Sequence, residues 1–284
     1  MPERRRGLAG FVLNVWMSLF VLFLVAPLMV ATLPAFDGSS GASAGGAKGF
    51  GLHAFSALFA DDRLMTGLLH SGLVGLAVVV LSLPLGLAGA LVLDRLAGRA
   101  AGLLFAALIV PILVPGIVVG LSTLIFWREL GVPGGLLLAV LAQTSAAAAY
   151  AMMLFLVRLE SFDPELMEAA LDLGASQSLA MRRVLLPHLG PTALAAAAVA
   201  FLLSVGDHDM TVSSIGSDWT LLTEIAARLR LDPTPAVDAI GVLFVAATLL
   251  VAGVWVALHH RTRPRPGGEA DRTRHPTSRR GLTT

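Results

Sequence analysis

On either side of residues 163–191, DPELMEAALDLGASQSLAMRRVLLPHLGP, the chain is overwhelmingly apolar. The stretch itself is too charged to cross a bilayer and too patterned to be a random loop. Asp163 followed by Pro164 makes a helix start, with Asp as N-cap and Pro at the first helical position. Glu165 and Glu168 place negative charge where the helix dipole favours it. Gly174 suits the left-handed position just past a helix end. Between them Leu166, Ala169, Ala170 and Leu173 share one face, and Glu165, Glu168 and Asp172 another. Ser176 is placed to cap a second short helix through Arg182 and Arg183, which Pro187 is expected to stop. The expectation is a helix–turn–helix over about 163–187 on a membrane surface. A connector resting on anionic lipid would carry a basic polar face. This polar face is acidic, and the Ala-lined face is small enough for close approach by another protein.

The flanks are membrane spans. Of the 284 residues 56% are hydrophobic and 14% charged, with a mean hydropathy of +0.81; a soluble domain carries about 25% charged residues. A helix needs about 20 apolar residues to cross the hydrocarbon core, and long uncharged runs give six candidates: 11–34, 66–93, 101–127, 136–157, roughly 191–206, and 239–258. The runs are continuous and rich in Ala, Leu, Val and Gly rather than alternating, which excludes a β-barrel. The expected fold is an all-α membrane protein with six transmembrane helices. Residues 1–65 hold the first helix and a Gly/Ser-rich loop (38–51), residues 66–258 the core, and 259–284 a basic tail without apolar periodicity. A cleaved signal peptide is the competing reading of the first span, but 24 apolar residues exceed the usual 7–15 or so.

Basic residues set the orientation. With the N-terminus inside, Arg4, Arg5, Arg6, Arg95, Arg99, Arg158, Arg182, Arg183 and the arginines of the tail face the cytoplasm. Only Lys48, Arg63, Arg128, Arg228 and Arg230 face outward. That asymmetry places both termini in the cytoplasm. The chain has no cysteine, which removes disulfides, thiolate metal sites and thiol nucleophiles.

Pro84, Pro111 and Pro115 interrupt apolar spans. A broken helix leaves backbone groups that only protein or a water-lined cavity can satisfy, so Pro111 and Pro115 point to the interior of the bundle, unless they are ordinary membrane-helix packing prolines. Asp207, His208 and Asp209 end the fifth span. Carboxylates at membrane depth face a cavity or a partner, whereas carboxylates past Gly206 are merely solvated, and position alone leaves both open. His70 reads as interfacial, Arg128 and Glu129 as a loop pair, Asp238 as an N-cap, and His259 with His260 as a weak metal signal. No metal site and no catalytic residue is expected.

Glu168-Ala169-Ala170, three residues, Gly174, nine residues, Val184, one residue, then Leu186-Pro187 resembles the EAA signature of ABC-importer permeases, with Val184 where isoleucine is commoner. The resemblance covers about 66–258 and implies a type I importer permease fold with an extra first helix. In that family the segment is a coupling helix that docks on a cytoplasmic ATPase. The resemblance therefore implies an ATPase dimer as partner, a second permease chain (a homologue before a second copy) and an extracytoplasmic binding protein. ATP and Mg would sit on the ATPase, with no cofactor in this chain, lipid around it, no nucleic acid, and a place in the inner cell membrane. The chain has no G-x-x-x-x-G-K-[ST] of its own. GDHDMTVSSIGS (206–217) and LLTEIAARLRLDPTPAVDAIG (221–241) resemble the polyamine (spermidine/putrescine) permeases of the second-subunit type, which tend to carry adjacent aspartates where Asp207 and Asp209 flank His208. The expected cargo is a polyamine or a related small solute, with iron or an aminophosphonate as alternatives. An intramembrane enzyme would need His70, Ser71, Asp207 or His208 in a catalytic set; no H-E-x-x-H is present, and the G-x-S-x-G match at residues 41–45 lies in the Gly/Ser-rich loop rather than at a strand-to-helix turn. An independent secondary transporter would need an internal repeat that the sequence lacks.

Overall fold

The computed structural model describes residues 2–36, 51–231 and 236–246. The expected loop 38–51 except its last residue, the second half of the sixth expected span and the tail from 259 lie outside the described residues. Every regular element among the described residues is helical. The chain forms two compact units, residues 1–51 with 238–284 and residues 52–237. In the first, α1 (Pro2–Thr32) runs for 31 residues and ends in a 3₁₀ turn, Leu33–Phe36. Trp16, Leu19, Phe20 and Phe23 on α1 are all exposed. An apolar helix also spans Ala236–Ala246.

The second unit begins with the short α2 (His53–Phe59) and the long α3 (Asp62–Arg95). It continues with α4 (Gly98–Leu113), α5 (Gly116–Glu129) and α6 (Leu136–Glu160). Next come α7 (Glu165–Asp172), α8 (Gln177–Ala180), one π turn (Met181–Leu185) and α9 (Leu186–Gly206). Finally α10 (Asp209–Ser214) and α11 (Leu221–Leu231) close it. Among the described residues three helices are long and apolar enough to cross a membrane: α3, α6 and the 30-residue rod Gln177–Gly206; the α4–α5 pair makes up to a fourth.

The centre is α3 against α6, with α9 packed on both. On α3 the residues turned inward recur every three or four positions and are mostly small: Gly67, Ser71, Gly75, Ser82, Gly86 and Ala90. The opposite face presents Leu69, Leu73, Leu76 and Val80, all exposed. A soluble helix hides its large apolar residues. In lipid the hydrophobic effect does not distinguish the faces, so helices meet where small residues let the backbones approach. The approach is closest at Gly86, where a Cβ would stand 2.7 Å from Ala151 Cβ and 2.8 Å from the Ala148 carbonyl oxygen. Below it Ala90, Leu93, Met152, Phe155, Leu159 and Leu189 form one buried cluster toward α7.

The expected third span, 101–127, is two helices bent by 101°. Val114 is extended (ψ 136) and Pro115 follows with ψ 133. Pro115 forces the residue before it out of the helical region and has no N–H to continue the ladder. Its carbonyl then opens α5 by accepting from Val118 N–H at 2.9 Å. Pro187 behaves differently from expectation, because it does not stop the helix that Ser176 caps. The π turn immediately before it widens the hydrogen-bond register by one residue, which accommodates a ring that would otherwise clash with the preceding turn. The rod therefore runs unbroken to Gly206.

The end of the bundle opposite α7 is fastened by polar contacts. Asp61 caps α3 by accepting from Arg63 N–H (3.1 Å) and Leu64 N–H (3.0 Å). The same carboxylate takes a two-pronged contact from Arg228 of α11. Glu224 receives Arg228 Nε at 2.9 Å and Arg63 Nε at 2.7 Å. Arg63 lies over the Trp219 ring, 4.3 Å from its centre. His70 Nδ1–H donates to the Trp219 carbonyl at 2.8 Å, and Ser71 Oγ accepts from Leu221 N–H at 3.0 Å. His70, expected to be merely interfacial, and Ser71 thus hold the turn into α11.

The Arg228 contact holds the Asp61 carboxyl below its ordinary value of 3.8, against the upward push of burial. Burial raises Glu224, but Arg63 and Arg228 outweigh it and leave the group below its ordinary 4.5. Both carboxyls bind protons less readily folded than unfolded. The stabilisation they supply is complete above those ordinary values and fades as pH falls below them. Thermal unfolding of the purified protein should therefore shift downward below about pH 4, and Arg228→Met should remove most of that dependence. Arg228→Met should also cost about 1–2 kcal/mol at neutral pH, at the lower end for a charged contact because Asp61 is partly reached by water. Gly86→Ala should lower the unfolding temperature without any pH dependence, since the added methyl overpacks the α3–α6 seam at about 1–3 kcal/mol.

Candidate functional site

The segment that resembles a coupling helix forms the expected first helix and turn, and departs from expectation only in that its second helix continues past Pro187. Asp163 Oδ1 accepts from Glu165 N–H at 3.0 Å, and the Pro164 carbonyl accepts from Met167 and Glu168 N–H groups. The far end closes with Ala175 N–H on the Ala170 carbonyl (3.1 Å) and Gly174 N–H on the Leu171 carbonyl (2.8 Å). Gly174 has φ +83, a backbone conformation that disfavours any Cβ. Ser176 Oγ then caps α8 by accepting from Leu179 N–H. Glu168, Ala169, Gly174, Leu186 and Pro187 are exposed, and Ala170 and Val184 are half-buried. The apolar residues Leu166 and Leu171 of α7, and Leu173 just past its end, also face outward, Leu173 at 89% exposure. Met167, on the other side, packs against the buried cluster of the bundle. Behind the loop Arg158 Nε donates to the His188 carbonyl at 3.3 Å. The Phe162 ring meets His188 edge-on at 5.1 Å. Sequence reading did not single out this brace, which joins residues 30 or fewer apart by an ordinary arginine and histidine.

At the other end of α9 lies a cavity of about 260 Å³. Its walls come from the α4–α5 elbow (Pro111, Val114, Gly116), the middle of α6 (Gln143, Tyr150) and the end of α9 with the start of α10 (Ser204, Asp207, Asp209). Thus Pro111, Asp207 and Asp209 converge on one space. Pro115 is not itself part of the wall but makes the bend that supplies it. His208, between the aspartates, is half-buried with its Nδ1 enclosed and unpartnered. The elbow receives α10 closely: a Cβ on Gly116 would stand 3.3 Å from Asp209 Cβ, and one on Gly120 would run into the Met210 carbonyl.

Asp207 is held by a hydrogen-bond chain buried between α6, α9 and α10. Ser204 Oγ donates to Gln143 Oε1, and Gln143 Nε2 donates to Thr211 Oγ1 at 2.6 Å. Thr211 Oγ1 donates to Asp207 Oδ2 at 2.8 Å, and Thr211 N–H adds a second bond to the same oxygen at 2.9 Å. Gln143 Nε2 also lies 3.5 Å from Oδ2. Gln143, Ser204 and Thr211 are 4%, 6% and 0% exposed. Sequence reading missed all three and Tyr150. The available signal was Gln143, an amide in the middle of an apolar span, where polar side chains are costly unless they face a partner or a cavity.

The chain has relatives of known description. The spermidine/putrescine transport system permease protein PotC of Haemophilus influenzae is 25% identical over 84% of this chain and 93% of its own length. The molybdenum transport system permease protein ModB of Mycobacterium bovis is 32% identical over 70% of this chain and 82% of its own. Among solved structures, a bacterial ABC transporter involved in the import of the acidic polysaccharide alginate superposes with a TM-score of 0.66 at 16% identity. That match covers 89% of this chain and 97% of the other and shows a shared fold. The family model for the binding-protein-dependent transport system inner membrane component matches residues 82–264. That range takes in the coupling-type loop, the elbow and the carboxylate cavity, and this chain belongs to that family, a multi-pass permease subunit of an ABC importer.

Proposed function

We propose that this chain is one half of the translocation path of an importer for small cationic amines, polyamines or their relatives. The observation that carries the reading is the cavity: its charged lining residues are Asp207 and Asp209, with no lysine or arginine in its lining. Two carboxylates lining one cleft attract a cation and repel an anion. The similarity to polyamine permeases supports the same class of cargo. One relative is named for molybdenum; an anionic cargo would meet two carboxylates here and no countercharge.

The mechanism that fits is alternating access. A binding protein delivers cargo at the α11 end, and an ATPase dimer, carrying ATP and Mg, docks on 163–187 through the exposed apolar face of α7. A second permease, a homologue or a copy of this chain, completes the path. Six spans, cytoplasmic termini and the inner membrane of a bacterium complete the reading, in which this chain hydrolyses nothing itself.

Two experiments test it in a host deleted for this gene and complemented in trans. Replacing Asp207 and Asp209 together with Asn should lower uptake of radiolabelled spermidine by roughly tenfold or more, the equivalent of about 1.4 kcal/mol. Unchanged uptake, or uptake of iron instead, would remove the amine reading. Gly174→Val should abolish uptake at normal chain abundance, because a β-branched residue is strained at positive φ and frays the loop outside the membrane. Transport at the wild-type rate would detach residues 163–187 from coupling.

A further inference from the structure

We propose that Gln143 and Thr211 are positioning residues that fix Asp207 with one carboxylate oxygen turned to the cavity, and that this geometry sets the preference for cations. The inference rests on the cavity being the cargo path. All the hydrogen bonds that the Asp207 carboxylate receives fall on Oδ2: from Thr211 N–H, from Thr211 Oγ1 and, at longer range, from Gln143 Nε2. Asp207 also lines the cavity, so Oδ1 is the oxygen presented to cargo.

The direction of the donors is fixed by their chemistry. Gln143 Oε1 is taken by the Ser204 hydroxyl, which turns the Gln143 amide nitrogen toward Thr211 and Asp207. With its oxygen lone pair filled by that N–H, the Thr211 hydroxyl points its own hydrogen at the strongest acceptor nearby, the carboxylate. Each member lies on a different helix from the next or across a helix break, so the chain also registers α6, α9 and α10 against one another at the carboxylate. Removing the Thr211 hydroxyl or the Gln143 amide frees the Asp207 side chain to rotate, and a carboxylate in several rotamers presents its charge to the cavity less consistently.

The absence of cysteine allows a direct electrical readout. Leu203→Cys puts a single thiol in the cavity wall. In the detergent-solubilised importer, with its partner subunits co-expressed, this thiol is reacted with a trimethylammonium methanethiosulfonate and with the sulfonate analogue. The ratio of the two rates reports the local potential independently of transport. In the otherwise unaltered chain the cationic reagent should be preferred, and Asp207→Asn should lower the ratio. Thr211→Val and the near-isosteric Gln143→Met should each lower it by a smaller amount, since the charge stays but is no longer held in place, and Thr211→Ser should keep it. Reading the ratio only in assembled complex separates it from folding yield. Two different positions supply the test, and if neither variant assembles, Thr211→Ser and Ser204→Ala are read in their place, with the ratio expected to hold and to fall respectively. Should Thr211→Val and Gln143→Met keep the unaltered ratio while Asp207→Asn lowers it, the positioning role is wrong although the cavity reading stands. Should Asp207→Asn itself leave the ratio unchanged, the cavity reading fails as well.

Discussion

Everything in the 52–237 unit depends on how closely α3 and α6 can approach at Gly86. In hydrocarbon, burying a leucine between helices gains nothing over leaving it in lipid, so packing has to come from backbone proximity and dispersion. Gly86 against Ala148, Ala151 and Met152 supplies that proximity. Once the two helices are clamped, α9 completes a three-helix core through Ala196 and Ala200. The large side chains are then left on the outside, where membrane or a partner helix covers them. The same constraint explains why α6 is so rich in alanine: it is the helix surrounded by the others.

The cavity is a consequence of a second constraint, the obligation to satisfy backbone groups at membrane depth. The bend at Val114–Pro115 turns α5 away from the line of α4 and opens room beside α6. Part of that room is filled by α10, whose Met210 backbone lies against Gly120. What remains is lined by the break itself, by a buried amide and by two carboxylates. Three buried polar side chains are used here: Gln143, Ser204 and Thr211 satisfy one another and Asp207, leaving the carboxylates as the charged groups of the wall.

The coupling-type loop was legible in the sequence because its signals are local: Asp163-Pro164, the two glutamates, Gly174 and Ser176 each act on backbone groups within a few residues. The apolar spans were legible for a similar reason, since crossing a bilayer needs a continuous run and little else. Two features were not. Pro187 reads as a stop, and only the register shift in the preceding π turn shows how it is carried inside a longer rod. Gln143 is joined to Ser204 and Thr211 across 61 and 68 positions, and Asp61 to Arg228 across 167, and no local rule reports such pairings. For Asp207 and Asp209 the sequence left a solvated loop and a cavity wall equally open. The elbow at Pro115, a tertiary feature, is what brings both against one cavity, with Asp209 still exposed.

The two candidate regions sit at opposite ends of one element. The rod Gln177–Gly206 begins beside α7 and ends at Asp207, a span of about 45 Å at the helical rise. Its base is braced to the rest of the unit by Arg158 on the His188 carbonyl and by Phe162 against the His188 ring. A helix transmits a tilt along its length with little loss, whereas a loop does not. In the proposed importer a displacement of residues 163–187 therefore reaches Ser204 and Asp207 as a rigid movement of their common support. Because Ser204 is tied to Gln143 of α6, that movement either carries α6 with it or breaks the hydrogen-bond chain that orients the carboxylate. On either course the grip on a cation changes with the position of the coupling loop, and cargo release needs no separate trigger.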